Sequence, residues 1–391
     1  MAEENPHRQL DTTPPVGQTQ GVTTPDVVEL TERLVSFDTV SRNTNAGLHE
    51  YLVPLMRDLG FEVEPLTYQD DTGTRKDSLV ARKGSGSGGL AFLSHSDTVP
   101  GEAWTRDPWR PQREADRLVG LGSCDMKGPL AATIVAAARM DESKLARPVF
   151  IVVAADEEIS GGGARQVGEE SRLFRNNGPT EGVIAEPTMM QPVYSHKGGA
   201  RVFVTARGTA AHTSTDRGVS SNFKIAPFLA RMPALAQRFK TEPQFQDQQF
   251  DPPTLGFNMV LDDGGCRPNV CPPVTVATLS FRPMPGVDSD AVIAAITAEA
   301  ADFDLELDTM VKTAFYSDPK SPILQAAVRA SGATVPATVP FGTDAHIFKK
   351  YLQLVVMGPG SITQAHTDGE WIALEQLHLA VDVYSAMMVQ G

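Results

Sequence analysis

The sequence is poor in cysteine, in long apolar runs and in positive charge. Its 391 residues include only three cysteines, Cys124, Cys266 and Cys271. An odd and low count of this kind is typical of a reducing compartment, so we expect a cytoplasmic protein without a disulfide framework. Three scattered thiols also exclude an all-cysteine zinc cluster and a paired cysteine–histidine zinc finger. A metal in this chain would therefore be bound by His, Asp and Glu.

The same scarcity of apolar runs and of basic residues narrows the possible partners. No apolar stretch reaches the ~18 residues that a transmembrane helix needs. The net charge of −14 argues against nucleic acid and against an anionic membrane, because both attract basic surfaces. The N-terminus lacks the basic and apolar regions of a secretory signal and is rich in Pro, Thr and Gln. We predict that residues 1–24 are disordered.

What the chain does contain is an alternation of buried strands and helices. The runs "GLAFLS", "PVFIVVAAD" and "EGVIAEP" are apolar without alternation, which indicates strands buried on both faces. Helical patterns such as "GPLAATIVAAARM" lie between them. This order predicts an α/β fold, with a mixed sheet covered by helices on both sides.

Near residue 195 the pattern changes to a regular polar–apolar alternation, as in "GARVFVTARG" and "VTVATLSFRP". Such alternation is typical of an antiparallel sheet with one open face. We predict a smaller α+β domain, residues 195–295, that interrupts a larger one made of residues 25–194 and 296–391. One helix is expected from about Asn222 to Phe239, and Pro54 is expected to kink or shorten an earlier helix.

Residues that can bind metal follow several predicted strands or begin a helix. They occur in "SHSDTVP", "GLGSCDMKG", "DEE", "AEPT" and "GPGSITQAH". In open α/β sheets, ligands bind outside the carboxyl ends of the strands. Two histidines and several carboxylates suit a pair of divalent cations such as zinc, cobalt or manganese.

Each of these stretches also has a simpler explanation. His95 could belong to a surface turn, "GSCDMKG" to a loop with a capping Asp, "DEE" to a solvated acidic turn, "EPT" to an ordinary turn, and His366 to the surface. Their joint position at the ligand-binding edge of one sheet favours a functional site.

As a set, these stretches resemble the M20 family of metallopeptidases and deacylases. The resemblance adds "HKGGARVFVTARGTAAHTS" and "GPGSITQAHTDGEWI" and covers nearly all of the chain after about residue 25. Within the family, the acetylornithine deacetylases are the most similar subgroup, with succinyl-diaminopimelate desuccinylases and aminoacylases as related subgroups. The resemblance implies a zinc-exopeptidase-like catalytic domain, with residues 195–295 as a lid and dimerisation domain.

The resemblance also implies a role for each residue of the site. His95 and Glu186 would bind one metal, and Glu158 and His366 a second. Asp125 would bridge both metals, and its peptide bond to Met126 would be cis. Asp97 would orient His95 from behind, because an outer carboxylate fixes the tautomer of a ligating imidazole. Glu157 would be the general base.

Further positions match residues of the family that contact the substrate. His212 would stabilise the oxyanion, in dimeric relatives from the partner subunit, although it could also be a surface-loop histidine. Arg282 would bind the α-carboxylate, for which a guanidinium suits a bidentate contact, or it could stabilise a strand end. Asn269 would lie near the oxyanion, or in a turn. Gly342, Thr343 and Asp344 resemble a substrate-facing loop.

The implied reaction is hydrolysis of an N-acyl amino acid by two divalent metal ions, zinc first and cobalt or manganese as alternatives. The expected substrate is N2-acetyl-L-ornithine, which would place the chain in arginine biosynthesis as a homodimer. The alternatives are a succinyl-diaminopimelate desuccinylase, another N-acyl-amino-acid deacylase, a dipeptidase, or a non-enzymatic binding module on the same fold. Ser94 departs from the glycine usual before the family histidine, and "STDRGVSSN" departs from the usual sequence after His212.

Overall fold

The computed structural model describes residues 23–389. The predicted disordered segment, residues 1–24, lies outside the described residues except for its last two positions. The strands in chain order are β1 (Glu62–Gln69), β2 (Arg75–Lys83), β3 (Leu90–His95), β4 (Gln112–Glu114), β5 (Arg117–Val119), β6 (Val149–Ala154), β7 (Glu181–Pro187), β8 (Val193–His196), β9 (Gly199–Arg207), β10 (Asn258–Asp262), β11 (Val274–Phe281), β12 (Glu306–Lys312), β13 (Phe315–Tyr316), β14 (Ala337–Val339), β15 (Gln353–Gly358) and β16 (Trp371–Ala373).

Two helices precede the first of these strands, one follows the last, and the others lie between them along the chain. In chain order they are α1 (Val27–Val35), α2 (Ala46–Asp58), α3 (Lys127–Arg139), α4 (Gly162–Glu170), α5 (Arg172–Arg175), α6 (Ser221–Leu229), α7 (Met232–Thr241), α8 (Ser289–Ala300), α9 (Pro322–Ser331), α10 (Ala345–Phe348) and α11 (Leu374–Val389). Within residues 23–389, no helix combines the length and apolarity that crossing a bilayer requires.

The larger sheet has the order β1-β2-β6-β3-β7-β15-β8-β13, with β14 beside β8. Its centre is parallel, since β3 pairs in parallel with both β6 and β7, while β1, β2 and β13 are antiparallel to their neighbours. All six residues of β3 and of β6 are buried. Separate apolar cores cover the two faces of this sheet, which confirms the predicted mixed sheet covered by helices.

The smaller sheet is antiparallel throughout, in the order β10-β11-β9-β12. Along β9 the buried residues alternate with more exposed ones, as the sequence predicts. Helices α6, α7 and α8 contribute side chains to a third apolar core on the buried face. The opposite face is open.

Three features of the second half of the chain differ in detail from the predictions. The single helix expected from Asn222 to Phe239 is two helices, α6 and α7, and Pro233 lies in the first turn of α7. Strand β12 pairs with β9, so the smaller sheet includes residues 306–312, beyond the predicted boundary at 295. Helix α8, which runs across that predicted boundary, packs on this same sheet.

Pro54 has less effect than its position suggests. Helix α2 continues through it to Asp58.

Candidate metal centre

The carboxyl ends of three adjacent parallel strands form the base of the site. His95 is the last residue of β3, Glu186 lies near the end of β7, and the acidic loop with Glu157 and Glu158 follows β6. Because β6, β3 and β7 are neighbours in the sheet, these side chains come together although they are far apart in sequence. His95, Glu186 and the acidic loop therefore lie at one edge of the sheet, where the sequence placed them.

Asp125 enters the site from the loop that precedes α3. The peptide bond between Asp125 and Met126 is cis, as the resemblance implies. The backbone N–H groups of Cys124 and Asp125 donate to Oε1 of Glu370, at 2.8 and 3.0 Å. Glu370 is 1% exposed, so a buried carboxyl group from a distant part of the chain holds the Asp125 backbone.

The five predicted ligands form two groups that share Asp125. Its Oδ1 lies 3.2 Å from Nε2 of His95, which is 3.7 Å from Oε1 of Glu186. Its Oδ2 lies 3.3 Å from Nε2 of His366, which is 3.0 Å from Oε1 of Glu158. Each carboxylate oxygen of Asp125 therefore faces a different histidine, and each histidine has a second carboxylate beside it.

The electrostatics of this cluster favour bound cations. Burial raises the pKa of Glu186 well above its ordinary value, and it also raises the pKa of Glu158. Burial opposes ionisation of Asp125 too, but hydrogen bonds with His366 and His95 outweigh it and keep the Asp125 pKa low. Crowded, buried carboxylates repel one another unless positive charge lies between them. The donor set of imidazoles and carboxylates fits divalent metal ions.

Asp97 lies behind His95 and contacts more than the imidazole. Its Oδ1 is 3.4 Å from Nδ1 of His95 and accepts the backbone N–H of Glu157 at 3.1 Å. Its Oδ2 accepts the N–H of Glu158 at 3.2 Å and the hydroxyl of Ser41 at 2.6 Å. One buried carboxylate thus ties the end of β3 to the acidic loop after β6.

Glu157 lies in the acidic loop after β6 and is half-buried. Burial of its carboxyl group, with Asp344 nearby, raises the pKa of Glu157 well above its ordinary value. The Nζ of Lys312 donates to its backbone oxygen at 3.3 Å. A carboxyl group with a raised pKa is suited to accept and return a proton near neutral pH.

His212 and Asn269 belong to the smaller sheet's loops. His212 is exposed, and its Nδ1 contacts the hydroxyl of Ser214 at 2.7 Å. The two predicted residues are close in space, because Thr213 donates its N–H to the backbone oxygen of Asn269 at 3.0 Å. Among residues 23–389, neither is in hydrogen-bond contact with the carboxylates around Asp125.

Of the other predicted substrate residues, Arg282 faces a cleft and Thr343 faces a buried histidine. Arg282 lines a cleft beside Glu158. The hydroxyl of Thr343 instead contacts Nε2 of buried His196 at 3.0 Å and accepts the N–H of Ala345. Gly342 precedes it, with the backbone oxygen of Lys197 close by. Thr343 therefore uses its side chain to hold the loop.

Two residues near the centre were not singled out from the sequence. They are Lys312 and Glu370. Asp344, from the predicted substrate-facing loop, also lies near Glu157. Asp344 is buried, and burial raises its pKa to about 7. Glu370 stands in the quoted stretch "HTDGEWI", but its partner is the Asp125 loop, 245 residues earlier. No pattern in the local sequence predicts such a contact.

Comparison with known proteins agrees with this geometry. Residues 91–390 match the peptidase family M20/M25/M40. The chain is 33% identical over 361 residues to the acetylornithine deacetylase of Myxococcus xanthus, covering 89% of this chain and 92% of that protein. It is 30% identical to the acetylornithine deacetylase of Salmonella heidelberg (strain SL476), covering 89% and 93% of the two chains. The crystal structure of the M20 family metallo-carboxypeptidase Sso-CP2 from Sulfolobus solfataricus shares the fold, with a TM-score of 0.73, 16% identity and coverage of 93% and 99%.

Proposed function

Because this chain belongs to peptidase family M20/M25/M40, whose members are metal-dependent hydrolases, we propose that it hydrolyses the amide bond of an N-acyl amino acid with two divalent metal ions. The observation that supports two ions is the sharing of Asp125 by two groups of ligands. We assign His95 and Glu186 to one ion, and His366 and Glu158 to the other. Zinc suits these donors, and so do cobalt and manganese.

The proposed reaction is the addition of water to the scissile carbonyl, followed by cleavage of the carbon–nitrogen bond. Two bound cations would polarise that carbonyl and lower the pKa of the attacking water. Glu157 accepts the proton from the water and passes it to the leaving nitrogen, so that the products are a carboxylate and an amine. Asp97 keeps the imidazole of His95 and the backbone of Glu157 in fixed positions.

The substrate is proposed from the relatives and from one side chain. Both relatives named above are acetylornithine deacetylases. We therefore propose N2-acetyl-L-ornithine as the first substrate to test, with L-ornithine and acetate as products, a step of arginine biosynthesis in the cytoplasm. Arg282 lines the cleft beside Glu158, where it can bind the α-carboxylate. N-succinyl-diaminopimelate, other N-acyl amino acids and dipeptides are the alternatives.

We also propose that the enzyme is a homodimer in which His212 serves the partner's site. His212 is exposed and has no described contact with the carboxylate cluster of its own subunit. The edge strand β10 and the start of α6 expose large apolar side chains, with Phe223 83%, Val260 59% and Leu261 51% exposed. Large apolar side chains exposed at one edge of a sheet support an interface there.

The function is tested by hydrolysis of a panel of N-acyl amino acids and dipeptides with added zinc or cobalt. Glu157→Gln should abolish nearly all turnover while the metal content stays the same. Glu169→Gln, at an exposed position on α4, is the matched control and should behave as the parent. A metal-loaded parent protein that cleaves no member of the panel would refute the proposed reaction.

The dimer is tested separately by mixing two inactive variants. His212→Ala and Glu157→Gln should together recover part of the activity, because one mixed site then has both intact residues. Subunit exchange without any recovery would show that His212 does not act on the partner's site.

A further inference from the structure

A cleft of about 310 Å³ lies between the acidic loop and the open face of the smaller sheet. Its lining combines one carboxylate with several cationic and small side chains. The lining residues that matter here are Glu158, Arg201, Ser280, Arg282, Met310 and Lys312. Because Glu158 is also in the carboxylate cluster, a substrate bound at the proposed metal centre would extend into this cleft.

The strand register explains why Arg201 faces the cleft. Arg201 lies opposite Ser280 of β11 and Met310 of β12, and all three line the cleft. Its neighbours Ala200 and Val202 are buried in the core of the smaller domain. Since successive side chains of a strand point to opposite faces, Arg201 belongs to the open face.

Lys312 and Arg282 lie at the end of the cleft that is closest to the centre. Lys312 pairs with Gly199 at the end of β12, and its Nζ donates to the backbone oxygen of Glu157. Arg282 follows β11, and its Nη1 is 3.5 Å from the backbone oxygen of Gly198. Both cations therefore lie beside Gly199, since Nη1 of Arg282 is the nearest atom to the position that a Cβ at Gly199 would take.

The charged groups of the cleft are three cations and a single carboxylate. None of the three cations forms an ion pair with a carboxylate among the described residues. The one acid, Glu158, is already assigned to a metal ion in the proposed centre, so it does not neutralise them. An ammonium group on a substrate side chain would be repelled here, whereas a carboxylate would be attracted.

We propose that this cleft selects N-acyl amino acids with a second carboxylate, bound by Arg201 and Lys312 while Arg282 binds the α-carboxylate. The inference rests on the proposed amide hydrolysis, and within that reaction it favours the substrates with a second carboxylate over N2-acetyl-L-ornithine. The second carboxylate can belong to the amino-acid side chain or to the acyl group, since both would reach cations in the same cleft. An arginine presents a planar pair of donors that matches a carboxylate.

Binding is measured by calorimetry on zinc-loaded Glu157→Gln protein, so that no turnover intervenes. One arm compares N-acetyl-L-glutamate with N-acetyl-L-glutamine, which differ only in side-chain charge. A second arm compares N-succinyl-L-norvaline with its terminal amide, which tests a carboxylate on the acyl group. N-acetyl-L-ornithine is the cationic reference.

In at least one pair, the charged compound should bind roughly tenfold to a hundredfold more tightly than its neutral partner. This factor corresponds to the free energy of a hydrogen bond to a charged group. Adding Arg201→Gln should remove about tenfold of that preference. The matched control is Arg207→Gln, on the same strand but paired with Glu306, and it should leave the preference unchanged. The pair that responds identifies where the second carboxylate lies.

Equal binding of charged and neutral members in both pairs would overturn the proposal. A preference that Arg201→Gln leaves intact would also overturn it, as would tightest binding by N-acetyl-L-ornithine. Failure of the parent enzyme to hydrolyse any of these compounds would instead refute the proposed reaction. The binding preferences would still decide the chemistry of the cleft.

Discussion

Glu370 offers a sharp test of how the Asp125 loop is held in place. Its Oε1 accepts two backbone N–H groups, from Cys124 and Asp125. Its Oε2 is buried and has no hydrogen-bond partner among the described residues. A glutamine can therefore keep the accepting oxygen and place its NH2 group where Oε2 lies, whereas an alanine removes the acceptor altogether.

The two variants should differ greatly although both remove the same carboxyl group. In Glu370→Ala, two buried N–H groups lose their acceptor at about 1–3 kcal/mol each, so the free energy of unfolding should fall by about 2–6 kcal/mol. Because one of these groups belongs to Asp125, zinc affinity should also fall, by about 10–100-fold. Glu370→Gln should stay within about 1 kcal/mol and within about threefold of the parent.

Urea unfolding gives the first quantity, and competition for zinc with a chromophoric chelator gives the second. Both are measured at the same pH on parent and variants. Zinc binding by Glu370→Ala as tight as that of Glu370→Gln would show that the acceptor does not position Asp125. Equal losses in both variants would show that charge, rather than the accepting oxygen, is what matters.

Three further predictions follow from other parts of the molecule. Burial lowers the pKa of His196 to about 3 from 6.5, so the unfolded chain binds a proton that the folded chain does not, and stability should fall as the pH drops below about 6.5. Urea unfolding at pH 7 and pH 5 should show a loss that is about 2 kcal/mol smaller in His196→Asn than in the parent. Gly163→Ala should lower the free energy of unfolding by roughly 1–3 kcal/mol, because its Cβ would overlap the backbone nitrogen of Ala155. Gly47→Ala, whose Cβ would meet nothing closer than 3.9 Å, should be neutral or stabilising; equal losses at the two glycines would contradict the argument. Chelation of divalent metal should lower the melting temperature, and added zinc should restore it in a concentration-dependent way; a melting temperature indifferent to both would count against a metal centre.

The elements that sequence patterns predicted well are those with a strong local signal. The unbroken apolar runs of β3, β6 and β7 specify strands buried on both faces, and parallel pairing then brings their carboxyl ends together. His95 and Glu186 could be assigned to one edge of the sheet for this reason. The resemblance to a known family supplied the partners from distant loops, such as His366.

The parts that were missed depend on contacts between distant segments. Glu370 accepts backbone hydrogen bonds from the Asp125 loop, and no spacing of residues in the sequence predicts this contact. From the sequence, Arg201 is an ordinary exposed residue of an alternating strand. Only the register with β12 shows that it lines the same cleft as Lys312. Pro227 lies inside α6, whereas Pro233 lies in the first turn of α7. The sequence alone does not show which of the two prolines marks the start of a new helix.

The position of Asp97 has a consequence for how changes in this centre combine. Because its two oxygens accept the N–H groups of both Glu157 and Glu158, a shift of this carboxylate moves the proposed base and a proposed ligand at once. Residues that share one set of hydrogen bonds have a coupling free energy, so the effects of altering them do not add. In a double-mutant cycle, Asp97→Asn combined with Glu157→Gln should cost little more than either change alone. The end of β3 and the acidic loop after β6 would then behave as one thermodynamic unit.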